Sequence, residues 1–471
     1  MLIKTPSWSN IKDSVTKKIL LGNEPDAELI AILTIYFVQG LLLLSRLAVS
    51  FFLKDDLQLS PVEMSALLGV SSIPWMIKPL YGFISDSLPL FGYHRRPYLI
   101  LSGILGTVSW VSFATIVHTS WEATVAMILS SLSVAISDVI ADSIVVERTR
   151  SESTAKIGSL QSLCWSSTAI GNLVTAYIIG LLLQNFSTRT VFLIIALFPL
   201  IVSFIAWLIA EQPISQDVKK SKNTKHQLGQ LRQAITQKAI LLPTLFIFIW
   251  RSTPNSESAF FYFTTNELHF DPEFLGRVSL VTSFASLVGV WIFQRFLKTI
   301  RFRVIFTWGI VISTVLGMTN LLLVTHTNRL LGIDDHWFSL GDSLIISVIG
   351  QVVFMPVLVL ATRLCPPGIE ATFFALFMSM CNFSNTVAYE FGAMIMHWLG
   401  ITENNFDSLW LLITIANLSN LLPMLFINWL PEVEMEDEIM KLSAASDSNQ
   451  LNMSDVMPKL EIQEVESKVL E

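Results

Sequence analysis

Twelve stretches of this chain are apolar over about the length that crosses a bilayer, and this leaves few folds open. They are 29–53, 62–85, 98–118, 121–147, 158–183, 189–210, 239–265, 276–297, 302–325, 343–363, 369–398 and 408–430. A membrane helix needs about 20 mostly apolar residues, and soluble core helices rarely reach that length in such number. Composition agrees: 52% of residues are hydrophobic and 14% charged, where a soluble domain carries about 25% charged residues. Lipid is the natural solvent for such a chain. The sequence predicts an all-α polytopic membrane protein with twelve transmembrane helices, numbered here as spans 1 to 12.

Charge placement sets the orientation. If the N-terminus is cytoplasmic, the cytoplasmic segments hold 23 of the 30 Lys and Arg residues, the other side holds four, and three lie inside spans. That asymmetry fits the positive-inside rule and puts both termini in the cytoplasm. Residues 1–28 are polar with four lysines and no apolar core, so span 1 itself is the expected insertion signal. The longest internal loop, 211–238, contains Lys219, Lys220, Lys222 and Lys225 and divides the spans six and six. The expected organisation is an N-terminal segment 1–28, a six-helix bundle 29–210, a linker 211–238, a second pseudo-symmetric bundle 239–430 and a tail 431–471. The tail holds eleven acidic residues against three lysines, which accounts for the low pI. It says little about substrate. Cys164, Cys365 and Cys381 form no CxxC pair and read as small packing residues.

Ionisable groups at bilayer depth cost several kcal/mol and normally face a partner or a wet cavity. Seven stand out: Arg46, Lys78, Asp138, Asp142, Arg251, Glu257 and Glu390. Asp138 and Asp142 are four apart and share a helical face. Either a cation such as Lys78 sits between them, or one holds a proton and serves as a carrier for symport; a purely structural pair with Lys78 is the plainer alternative. Glu390 joins them as a candidate proton-coupling group. Arg251 precedes Pro254 in WRSTPNSESAFFYF. A proline-interrupted, polar half-way point is a recurring feature of transporter sites. The Arg251 fork suits a carboxylate, unless it is committed to Glu257 or Glu390. Gln39, Asn382 and Asn385 read either as interhelical glue or as path lining. No nucleophile–base set, phosphate loop, cofactor motif or metal-ligand spacing appears, which argues against an enzyme.

Between spans 2 and 3 stands GFISDSLPLFGYHRRPY. Gly82, Asp86, Arg95 and Arg96 look like the cytoplasmic signature of the major facilitator superfamily, with extra residues, Ser87 to Phe91, between its acidic and basic parts. With Arg148 at the end of span 4 they form the candidate gating set. The corresponding stretch after span 8, GVWIFQRFLKTIRFR, lacks the acid. The segments YFVQG, KPLYGFISD, SDVIADSIVVER, GSLQSLCW, NELHFDPEFLGRV, LATRLCPPGIEATFFAL and LWLLITIANLSNLLP resemble the folate–biopterin transporter family, in its cyanobacterial and plastid branch, over about residues 30–431.

The resemblance implies a secondary transporter importing folates and pteridines by alternating access, coupled to protons, with no metal and no cofactor. The residues suit that cargo. A carboxylate at Asp138 or Asp142 matches the 2-amino and ring N–H edge of a pterin. Arg251, Arg46 or Lys78 suits the carboxylates of a glutamate tail, and Glu257 and Gln39 complete the expected binding set. Aromatics such as Trp75 or Phe260–Phe263 offer faces for the ring. The expected partners are the small-molecule substrate, protons and lipid, without nucleic acid, for a monomer in the cell membrane or the plastid envelope. Two alternatives stay open: the same fold carrying another anionic or aromatic solute, and a receptor that senses a ligand without moving it.

Overall fold

The computed structural model describes residues 20, 23, 25–42, 44–149, 154–213, 236–297, 300–364 and 370–431. The first nineteen residues, most of the linker, the tail from 432 onward and Cys365 lie outside the described residues. Among the described residues the chain is helical, with no strand beyond one bridge between Leu90 and Tyr93. Ten helices among the described residues are long and apolar enough to cross a membrane. The other two expected spans are polar ones. Span 7 is interrupted: helix Lys238–Arg251 stops, residues 252–256 are not helical, and a new helix starts at Glu257. Span 11 is the continuous helix Glu370–Trp398, with Asn382, Asn385 and Glu390 along it.

Arg95, Arg96 and Arg148 mark one end of the molecule, the basic end. The opposite, far end carries the corner between spans 1 and 2 and the corner between spans 7 and 8. These two corners are built alike. Span 1 closes in a widened turn, Phe52–Asp56; Gln58 follows at φ 52°, and Ser60 caps a helix that begins with Pro61. Span 7 closes in the widened turn Phe263–Glu267; His269 follows at φ 55°, and Asp271 caps a helix that begins with Pro272. The backbone bonds match as well. Leu57 N reaches Phe52 O at 3.0 Å and Leu59 N reaches Leu53 O at 3.0 Å, as Leu268 N reaches Phe263 O at 3.1 Å and Phe270 N reaches Thr264 O at 2.9 Å. The sequences beneath are LQLSP and LHFDP. In both, a short oxygen-bearing side chain satisfies the first free N–H groups, and a proline takes the position where no N–H is needed. This internal repeat relates the first half of the chain to the second.

Buried apolar side chains form three clusters. One draws on Leu29 through Ile209, with Tyr262 reaching in from span 7; the other two draw on residues from Ile240 to Leu430. The first is organised by Phe52, Trp110, Phe113 and Phe192, whose ring centroids lie 5.0–5.7 Å apart. Between described residues, the hydrogen bonds that join the halves fall from mid-depth to the far end. Tyr262 OH donates to Leu59 O, Ser65 Oγ to Tyr389 O at 2.9 Å and Asn382 Nδ2 to Trp75 O at 3.1 Å. The Phe51 and Phe261 rings meet edge-on at 5.2 Å. Spans 5 and 8 touch backbone to backbone at Gly180 and Gly276, where a methyl on Gly180 would lie 2.6 Å from Pro272 O and 2.9 Å from the Gly276 Cα.

Candidate functional site

The first half gathers its charges at the breaks in span 2. Pro74 and Pro79 cut that span into Pro61–Ser71, Ile73–Met76 and Lys78–Ser87. Lys78, at the start of the last piece, lies 4.9 Å over the Trp75 ring and is ion-paired with Asp138 of span 4, both side chains 17% exposed. One turn along span 4, Asp142 accepts a hydrogen bond from Tyr36 OH of span 1 at 2.5 Å. The adjacent carboxylates therefore have different partners, one a cation and one a phenol. Gln39 is close by in sequence, on span 1, and its Nε2 is buried without a partner. Pro79 has no N–H for the Trp75 carbonyl, and Asn382 of span 11 supplies the missing donor.

The break in span 7 follows the same logic with a different result. Pro254 deprives Trp250 O of its donor, and Thr253 Oγ1 sits 3.2 Å from that carbonyl and 2.8 Å from Asn420 Oδ1 of span 12. Asn255 N donates to Ala388 O of span 11 at 2.9 Å, and Asn255 Oδ1 accepts from Glu257 N at 2.7 Å. Span 11 braces the break so closely that a methyl on Gly392 would lie 3.0 Å from the Asn255 carbonyl carbon. Arg251 ends the first piece, where the helix dipole favours a cation. Its guanidinium lies 5.3 Å over the Phe354 ring, and its Nε is buried with no hydrogen-bond partner. Among the described residues it makes no ion pair. Neither suggested partner claims it: Glu257 accepts a hydrogen bond from Tyr389 OH at 2.8 Å, and Glu390 lies against Gly69 of span 2.

Arg46 and Glu257 are related by the repeat, each six residues ahead of its widened turn. Both side chains are exposed. Tyr389 stands near both, bonded to Glu257 and within electrostatic reach of Arg46. Opposite charges thus occupy equivalent places in the two halves.

At the basic end, Arg95 is 8% exposed and joins Asp86 at 2.7 Å, Glu147 at 2.6 Å and Ser85 Oγ at 2.9 Å. Arg96 donates to Ile209 O at 2.6 Å and lies over Tyr93 and Trp207. Glu211, just after span 6, accepts the N–H groups of His94, Arg95 and Arg96 at 2.5, 2.9 and 2.9 Å, the open N-terminal donors of span 3. A methyl on Gly82 would meet Val139 of span 4 at 3.4 Å. Arg148 stands apart from this cluster and ties span 4 to the start of span 1 through Asp26 at 3.0 Å and Glu28 at 3.1 Å.

Sequence reasoning missed Tyr36, Glu147, Tyr389 and Glu211 as partners. Tyr36 and Glu147 stand inside the segments YFVQG and SDVIADSIVVER, and Tyr389 adjoins Glu390. A hydroxyl one helical face from a stranded carboxylate was the available signal.

The model of the family described as BT1 matches residues 39–448. A folate-biopterin transporter of Synechocystis sp. is 58% identical, over 92% of this chain and 86% of that relative. Folate transporter 2 of Plasmodium falciparum is 30% identical, over 84% of this chain and 86% of the relative. Among solved structures, a mutant of the nucleoside transporter NupG superposes with a TM-score of 0.66 at 14% identity, covering 86% of this chain and all of that one. A D-xylose-proton symporter does so with a TM-score of 0.62 at 16% identity, covering 86% and 98%. At such identities the likeness speaks to the fold, which is that of the major facilitator superfamily. With a family match over most of its length and a 58% identical relative, the chain belongs to the BT1 family.

Proposed function

We propose that the protein is a secondary transporter that imports folates and pteridines, folate monoglutamates and antifolates such as methotrexate among them, by alternating access coupled to protons. The observation that carries this reading is Arg251: a cation at a mid-span helix break, with a buried Nε and, among the described residues, no hydrogen-bond partner for it and no carboxylate of its own. It is ready for an anionic group of a substrate, and the relatives are named for folate, whose glutamate tail is anionic. Asp138 and Asp142, with Tyr36 and Lys78, form the polar cluster of the first half that reads the pterin edge and exchanges a proton. The basic end faces the cytoplasm by the positive-inside rule. The two six-helix halves, 29–210 and 239–430, rock about the site; among the described residues, Ser65 with Tyr389 and Leu59 with Tyr262 join them toward the far end. The Arg95 cluster holds the inner ends of spans 2, 3 and 4 together. The working unit is a monomer in the cell or envelope membrane.

The test is uptake of labelled folate by proteoliposomes, with and without an imposed pH gradient. Accelerated uptake on acidifying the outer side, competed by methotrexate and not by unrelated anions, is expected. Absence of uptake under both conditions ends the reading. Asp138→Asn is expected to alter the pH profile, and an unchanged profile removes Asp138 from coupling.

A further inference from the structure

Two cavities are lined by residues of the second half. The deeper one, about 490 Å³, has its floor at the span 7 break, at Asn255, Ser256 and Glu257. Asn320 of span 9 and Asn417 and Asn420 of span 12 form its walls. The outer one, about 390 Å³, lies at the far end among Glu267, His326 and Asp407. Their linings follow each other along single helix faces. On span 9 they run Ser313, Leu316, Asn320, Val324; on span 7, Glu257, Phe260, Phe263, Glu267; on span 12, Trp410, Ile413, Asn417, Asn420. Steps of three and four keep one face of a helix, so the two cavities lie in line along one seam between the far end and Glu257.

We infer that this seam is a water-filled conduit through the second half that delivers protons from the far side to Glu257, independently of the gap between the halves. The side chains of Asn320, Asn417 and Asn420 in the deeper cavity offer partners to water, which needs two to four. The mouth carries two carboxylates, and the floor carries a third, Glu257. Asp342, bonded by Thr319 Oγ1, stands one turn from the lining residue Ile346. His326, which lies 4.0 Å from Glu267, also stands at the mouth. From span 11, Glu257 meets Tyr389 OH; Glu390 lies on the side of Gly69. From span 1, Arg46 faces Tyr389. Tyr389 stops the seam at its foot, and the Arg46 charge behind it opposes passage of a cation. Glu257 thus exchanges protons with far-side water while a through-leak is blocked. The purpose assigned to the site rests on the proton-coupled reading above; the conduit itself does not.

The test begins in a background with Cys164, Cys365 and Cys381 replaced by Ala. Asn417→Cys and Asn320→Cys are each treated from the far side with a small cationic, membrane-impermeant thiol reagent, with right-side-out and inverted vesicles fixing the side. Both are expected to react. Thr325→Trp, an exposed change at the mouth, is expected to slow both at least tenfold and to leave a cysteine at Ser65, between the halves, reacting as before. Inert cysteines, or a Thr325→Trp variant that changes nothing, overturn the conduit whatever the cargo is. In proteoliposomes that take up folate, Glu257→Gln is expected to remove the response to far-side acidification. A retained response overturns the assignment to Glu257. Failure of folate uptake in the unmodified protein is separate, because the thiol measurement needs no cargo.

Discussion

Proline cuts span 2 and span 7 near the middle of the molecule, and in each the orphaned tryptophan carbonyl, Trp75 or Trp250, is met by a polar side chain. The cation beside each cut is treated differently. Lys78 is neutralised within its own half by Asp138. Arg251 stacks on Phe354 and is left uncommitted. A self-paired wall is rigid and pays its desolvation internally; an unpaired guanidinium keeps binding energy in reserve for a ligand. The difference shows that the two halves, though built on one repeat, treat their buried cations differently: the first half neutralises its own, the second leaves one with no ion-pair partner among the described residues.

The largest effect is expected from Arg251→Ala, which removes the uncommitted charge. A charge-assisted hydrogen bond contributes about 1.5–3 kcal/mol and each 1.4 kcal/mol is tenfold, so folate uptake should fall about 10- to 100-fold while the amount of protein in the membrane is unchanged. Arg251→Lys, lacking the fork, should recover only part. Uptake by Arg251→Ala at the normal rate would erase the contrast between the two cuts.

Lys78→Ala should act through stability instead. Removing one member of a buried pair leaves a stranded charge and costs about 3–5 kcal/mol. Lower membrane abundance and a lower melting temperature in detergent are expected, both restored in large part by Lys78→Ala with Asp138→Ala. A single variant as stable as the parent would show that the pair is dispensable and that both halves keep free cations.

Next in size is Gly180→Val. Spans 5 and 8 meet there across the halves with no room for a side chain. The variant should hold the far end apart, slow uptake about tenfold and raise far-side labelling of a cysteine at Ser65. Unchanged labelling would mean that the contact is not part of the far-end closure.

Much of this was legible in the sequence, for a physical reason. Apolar length is written residue by residue, so the spans follow from solvation alone. The Lys78–Asp138 pair was readable because two carboxylates on one helix face demand a cation, and the polar break at Pro254 because proline cannot donate. The partners of Asp142 and Glu257 were not readable. Both are tyrosine hydroxyls, Tyr36 and Tyr389, and a tyrosine in an apolar helix looks like packing until a distant carboxylate is brought to it. The partners of Arg148 were not readable for a related reason: it stands at the basic end near the Arg95 cluster, yet its carboxylates come from the start of span 1. The repeated corner LQLSP and LHFDP was present in the sequence, but only its shared turn geometry makes five residues significant.

The smallest effect sharpens the comparison at the entry to span 1, where the first half has an ion pair outside the membrane. Asp26 both accepts the Leu29 N–H at 2.7 Å and pairs with Arg148. Burial works to raise its carboxyl, but the Arg148 bond and the Leu29 N–H outweigh it and hold the group below its ordinary range. A carboxyl depressed in the folded state stabilises that state above its unfolded pKa, near 4, and the contribution fades as pH falls through the depressed value. Asp26→Asn keeps the helix cap and removes the charge. The parent should therefore lose melting temperature between pH 6 and pH 3 slightly more steeply than the variant, by well under ~1 kcal/mol for a half-exposed pair. Melting curves that fall in parallel over that window would show that Arg148 is served by Glu28 alone, leaving span 1 tied to span 4 by a single contact.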